Sequence, residues 1–168
     1  MTTKKDTSAN KFFVIAHNIR SLLNVGSFFR TSDAFGVSKL FLTGYTATPA
    51  SNHKLAKTSL GAETFVDWGH DKSAVRLIKK LKKDYPQIKI VGLENNLPSS
   101  VRSKIANLDK YRAAFPMALI LGEEVNGIPK NLWPHIDQFL EIPMQGQKES
   151  LNVAVAFGIA AYRLISRR

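Results

Sequence analysis

The chain has 168 residues, of which 44% are hydrophobic, enough for one domain with a substantial core. It has no cysteine, which excludes disulfides, thiolate nucleophiles and zinc sites with Cys ligands. Its net charge of +11 favours a polyanionic partner, because Lys and Arg that neutralise phosphates release condensed counterions.

Apolar stretches alternate with helical patterns along the whole chain. Residues 1–10 are polar, carry Lys4 and Lys5, and read as a flexible basic arm without the apolar core of a secretory signal. Phe12 to Ala16 reads as a short buried strand, and Asn24 to Phe35 as a helix stopped by Gly36. Lys39 to Thr43 is a second strand, closed by Gly44. Tyr45 to Ala62, rich in Thr, Ser and Ala, reads as mostly loop with one helical turn, and loops that long are usually functional. Phe65 to Trp68 is expected to be a strand.

Lys72 to Tyr85 is an amphipathic helix that Pro86 ends. Val75, Ile78 and Leu81 form its apolar stripe, while Lys72, Arg76, Lys79, Lys80 and Lys83 fill the other face. Ile88 to Leu93 and Met117 to Leu121 are continuously apolar, as strands buried on both faces of a parallel sheet are. A helical turn follows Pro129, and Phe139 to Ile142 is the last strand. Ser150 to Arg167 closes the chain as a helix that is apolar nearly all round, so it is deeply buried or packs on a second subunit. These elements predict a single α/β domain over residues 1–168 with a mainly parallel sheet flanked by helices. No run reaches the ~20 apolar residues of a membrane span, so no membrane association and a cytoplasmic location are expected.

The chain has no dinucleotide or P-loop glycine pattern, no H-E-x-x-H and no G-x-S-x-G elbow. Its four histidines are scattered without ligand spacing, and no metal is expected. Three other segments place polar residues and glycines beside buried elements. The first runs from Asn24 through Gly26 to Arg30, although Asn24 also fits a helix cap and Arg30 a solvated charge. The second, Leu121-Gly122-Glu123-Glu124-Val125-Asn126-Gly127, follows a buried strand, where open α/β sheets gather ligands. Here Glu123 reads as a turn acid left in water. The third runs from Ile142 to Asn152, where Ser150 is a natural N-cap and Asn152 is an amide inside an apolar helix that needs a partner.

In this order and at these intervals, the three segments resemble the motifs of the SpoU (TrmH-like) family within the SPOUT methyltransferases, over roughly Phe13 to Arg163. The resemblance implies a SPOUT fold with a deep C-terminal trefoil knot, and a homodimer with its active sites at the interface. It also implies S-adenosyl-L-methionine as cofactor. It assigns catalytic roles to Asn24, Arg30, Glu124, Ser150 and Asn152. It assigns cofactor contacts to Leu93, Glu94, Leu121, Gly122, Ile142, Met144, Gly146 and Leu151. Many members carry a further N-terminal RNA-binding domain, which is expected to be missing here. RNA binding then falls to the basic surface: Lys4, Lys5, Lys11, the helix from Lys72 to Lys83, Arg163, Arg167 and Arg168.

The implied reaction methylates a ribose 2′-hydroxyl of tRNA or rRNA, with the stretch Arg30 to Val37 closer to members that act on tRNA guanosine. A guanidinium deprotonates with difficulty, so Arg30 is expected to stabilise the developing alkoxide, held in place by Asn24, Glu124, Ser150 and Asn152. The competing readings are a catalytically silent RNA-binding protein of the same fold and a small-molecule α/β enzyme. The latter leaves the charge of +11 unexplained.

Overall fold

A computed structural model describes residues 10–166. Six consecutive buried residues form β1 (Phe12–His17), an interior strand of the sheet. The chain then makes α1 (Leu22–Ala34), β2 (Lys39–Thr43), the single-turn α2 (Ala56–Ser59), β3 (Trp68–Asp71) and α3 (Ala74–Asp84). There follow β4 (Lys89–Leu93), β5 (Ile105–Asn107), β6 (Met117–Leu121), β7 (Gln138–Glu141) and α4 (Val153–Ile165). Among the described residues the seven strands form one sheet in the order β3-β2-β1-β6-β4-β7-β5, and every pairing is parallel. All strands therefore end on one edge. The order reverses around β1, β6 and β4, and such switch points open a crevice at the carboxyl ends of strands.

The two sheet faces carry separate cores. One packs α1 and α4 through Val25, Phe28, Phe29, Phe157, Ala160 and Leu164, with the Phe28 and Phe157 rings edge to face at 5.7 Å. The other packs α3 through Leu77, Ile78 and Leu81 against Phe13, Ile90 and Phe139. Leu77, which the expected stripe of α3 left out, is thus buried, while Val75 is only partly so. A Cβ at Gly26 would collide with the side chain and carbonyl carbon of Thr58, so this glycine lets α1 and α2 touch.

Several boundaries differ from the sequence expectation. The third strand runs from Trp68 to Asp71, not from Phe65 to Trp68, because Val66 turns into the core and Phe65 stays 80% exposed. The stretch 45–62 is more ordered than a loop: a 3-10 turn (His53–Leu55) leads into α2, and a second (Ala62–Thr64) follows it. α4 begins at Val153, three residues later than expected. Lys4, Lys5, Arg167 and Arg168 lie outside the described residues. Among the described residues no helix is long and apolar enough to cross a membrane.

Candidate active site

The three polar segments, far apart in sequence, meet through one chain of hydrogen bonds. Ser21 caps α1, its hydroxyl accepting from the Asn24 N–H, so the Asn24 side chain is free for other partners. The Asn24 amide Nδ2 donates to Glu124 Oε1 at 2.9 Å. A carboxylate can only accept, so this bond fixes the amide's orientation and leaves Asn24 Oδ1 as an acceptor. It accepts from Asn152 Nδ2 at 3.1 Å. Asn152 Oδ1 in turn accepts from the backbone N–H of Ala154 at 2.9 Å and of Val155 at 3.4 Å, which makes Asn152 the N-cap of α4. Asn152 therefore does not sit inside the helix, and the capping expected of Ser150 falls to it instead. Every polar atom of the relay is used once or more.

Glu124 also accepts from the backbone N–H of Ser21 at 3.0 Å and of Arg20 at 3.2 Å, at the positive end of α1. Partial burial alone would raise its carboxyl; the hydrogen bonds from Ser21, Asn24 and Arg20 outweigh this and hold it below the usual carboxylate range. Glu123 is not left in water. Its side chain is only 10% exposed and pairs with the Arg20 guanidinium at 2.8 Å.

Beside the relay, at the carboxyl edge of β4, β6 and β7, lies a cleft of about 780 Å³. Leu93, Glu94, Gly122, Glu124, Ile142, Met144, Ser150, Leu151 and Asn152 line it. Two expected cofactor contacts do not. Leu121 is a fully buried member of β6 whose side chain belongs to the core, and Gly146 lines a smaller neighbouring cleft of about 510 Å³. A Cβ at Gly122 would collide with the backbone of Gly127 and Ile128, so the Gly122–Ile128 turn can close only around glycine. Glu94 accepts from the Ile128 N–H at 2.7 Å, and burial pushes its carboxyl above the ordinary range. Asn95, which carried no signal in the sequence, bonds both the carbonyl and the N–H of Ile142, at 2.9 and 3.0 Å, and so pins the start of the β7–α4 connection.

Arg30 is not held by this constellation. Six residues beyond Asn24, it lies about 9 Å further along α1 and turned by about 120°. It is exposed, and among the described residues it forms no ion pair or side-chain hydrogen bond. Arg163, an expected RNA contact, donates to the carbonyl of Asp109.

A parallel sheet with reversed strand order, and a ligand-sized cleft at its carboxyl edge, define an α/β domain built to hold a small cofactor. The chain belongs to the SpoU rRNA Methylase family, whose model matches residues 11–162. It is 28% identical over 169 residues to the putative TrmH family tRNA/rRNA methyltransferase YacO of Bacillus subtilis, covering 98% of this chain and 62% of that protein. It is 29% identical over 153 residues to the tRNA (guanosine(18)-2'-O)-methyltransferase TARBP1 of Mus musculus, covering 91% of this chain and 9% of the relative. The chain thus spans less than two thirds of the length of these relatives. The SpoU methyltransferase AviRb of Streptomyces viridochromogenes, solved with its cofactor AdoMet, shares the fold with a TM-score of 0.84 at 22% identity, over 95% of this chain and 61% of that one.

Proposed function

We propose that the chain is an S-adenosyl-L-methionine-dependent RNA methyltransferase that acts on a ribose 2′-hydroxyl. The observation that carries this reading is the Glu124–Asn24–Asn152 relay, which joins the family's three motifs at the rim of the cleft. The cleft fits the cofactor: its volume lies in the range of small-molecule sites, and apolar Leu93, Ile142, Met144 and Leu151 line it together with the carboxylate-bearing Glu94. When bound, the cofactor supplies an electrophilic methyl on a sulfonium.

The attacking hydroxyl must shed its proton as the new bond forms. Arg30 is the residue suited to stabilise that oxygen and to grip a neighbouring phosphate. Its position along α1 keeps it away from Asn24 of its own chain, so in this reading it serves the site of a second subunit. A homodimer is supported by the α1–α4 face, where Leu23, Val155, Ile159 and Tyr162 are 69%, 51%, 42% and 63% exposed. A knotted C-terminus belongs to the same proposal. It is supported by α4, which returns from beyond β7 to pack on α1, and by Asn95, which ties the connecting segment. A single domain over residues 1–168, working in the cytoplasm without a metal, completes the reading.

RNA is the substrate class that matches the charge. Lys79, Lys80 and Lys83 are exposed on α3 and Lys72 just ahead of it, on the sheet face opposite the apolar α1–α4 surface, and stay free in such a dimer. The mouse relative is named for tRNA and the Bacillus one for tRNA or rRNA, so tRNA and rRNA are both substrates to try. Calorimetry with S-adenosylmethionine, followed by transfer of its labelled methyl to bulk RNA, tests the proposal. Cofactor binding with transfer supports it, and RNA binding without either makes the chain a silent RNA-binding protein.

A further inference from the structure

Next to the relay lies a second constellation that the reaction just described does not use. Arg20 contributes its backbone N–H to the Glu124 clamp, while its side chain points outward and is 65% exposed. Glu123 holds one end of the guanidinium at 2.8 Å, and the Arg20 Nε donates to the Tyr45 hydroxyl at 3.4 Å. Tyr45 is 54% exposed, and its backbone is fixed: its N–H donates to Asn18 Oδ1 at 3.3 Å in the turn around Gly44. The next residue, Thr46, is buried and bonds the carbonyls of Ala16 and Thr43. A cation and an aromatic ring are thus both oriented, and both open to solvent, at the carboxyl ends of β1 and β2.

We infer that Arg20 and Tyr45 form a docking platform for the nucleotide that flanks the methylated one. The guanidinium takes its phosphate, and the Tyr45 ring stacks on its base. This inference rests on the RNA reading above and adds to it the place where the strand is held. The chemistry of the pair points to this ligand. A guanidinium has five N–H donors, and Glu123 and Tyr45 occupy only part of that fork, so the remainder can grip phosphate oxygens. An aromatic face accepts any base, and unstacked RNA bases are commonly held on Tyr rings and Arg planes. Glu123 does not repel the phosphate as an open carboxylate would, because it is turned inward and only 10% exposed, leaving the cation as the group that faces solvent. The position also fits, since the Arg20 backbone and Asn24 share one carboxylate, and a strand lying on the platform runs directly into the relay.

The test uses the full-length protein and unfractionated tRNA. Arg20→Ala and Tyr45→Ala are each expected to weaken tRNA binding by roughly 30-fold, near the middle of the range for loss of a stacked base at Tyr45 and of a charged hydrogen bond at Arg20. KM for tRNA should rise by more than kcat falls. Tyr45→Phe keeps the ring and should recover most of the loss seen with Tyr45→Ala. Arg20→Lys keeps the charge without the fork and should recover less. Affinity for S-adenosylmethionine and the melting temperature serve as controls for a purely structural role. Wild-type tRNA affinity in both alanine variants overturns the inference, as does an equal fall in cofactor affinity and melting temperature. If the wild-type protein binds no RNA at all, the proposed function fails first and the platform with it.

Discussion

Replacing Asn24 with Ala tests the relay at its middle link. The substitution deletes the bond to Glu124 at 2.9 Å and the bond from Asn152 at 3.1 Å. The first involves a carboxylate and contributes about 1.5–3 kcal/mol, the second is neutral and contributes about 0.5–1.5 kcal/mol. Glu124 keeps its two backbone donors and Asn152 keeps its capping bonds, so the net loss should fall near 2–4 kcal/mol. At roughly 2–4 °C per kcal/mol for a domain of this size, the melting temperature should drop by about 4–16 °C. Chemical denaturation of the variant measures the free energy, and a double-mutant cycle with Asn152→Ala measures the coupling. That coupling should be about 0.5–3 kcal/mol, as for residues in direct contact. The corresponding cycle between Asn24→Ala and Arg30→Ala should give a coupling near zero in urea-dissociated or dilute protein. A loss below about 0.5 kcal/mol, or equal coupling to Arg30 and Asn152, would refute the relay as the element that joins the three segments.

Other perturbations read other parts of the site. Glu124 is held below its ordinary range, so the stability it contributes is complete above the unfolded carboxyl value of ~4.5 and is lost as pH falls through the folded value. Denaturation curves between pH 6 and 3 should therefore converge for the wild type and Glu124→Gln at the acid end; parallel curves throughout would contradict the assignment. Gly122→Ala forces a Cβ into the backbone of Gly127 and Ile128, and calorimetry should show cofactor binding lost or weakened more than 100-fold. Arg30→Lys keeps the charge but loses the planar fork, and turnover should fall by roughly 100-fold or more with cofactor affinity unchanged. Removing Lys79, Lys80 and Lys83 together should flatten the logarithmic salt dependence of tRNA binding by about 2 units, at roughly 0.7 per phosphate contact. An unchanged slope would place the RNA elsewhere.

Much of the fold was legible in the sequence because its strands are buried on both faces. Met117 to Leu121 and the core of β1 read as continuous apolar runs, and α3 as a periodic stripe, since burial alone dictates those residues. What was not legible depends on pairing rather than pattern. β5 is three half-buried residues defined only by its register with β7, and β3 (Trp-Gly-His-Asp) has no apolar alternation to announce it. The site shows the same division. Asn24, Glu124 and Asn152 could be named from the motifs, but their mutual bonds span 100 and 128 residues, and no local signal encodes them. Asn152 read as an amide stranded in a helix because the start of α4 is set by that same side chain. Asn95, Arg20 and Tyr45 lie outside the motifs and gain meaning only from what the fold places opposite them.

The most direct test of the proposed activity is to incubate the wild-type protein with tRNA and S-adenosylmethionine carrying a labelled methyl group, then digest the RNA to nucleosides. Label should appear in a 2′-O-methylated nucleoside and be absent when Arg30→Ala replaces the wild type. Label on a base, or no label from protein that binds both tRNA and cofactor, would contradict it.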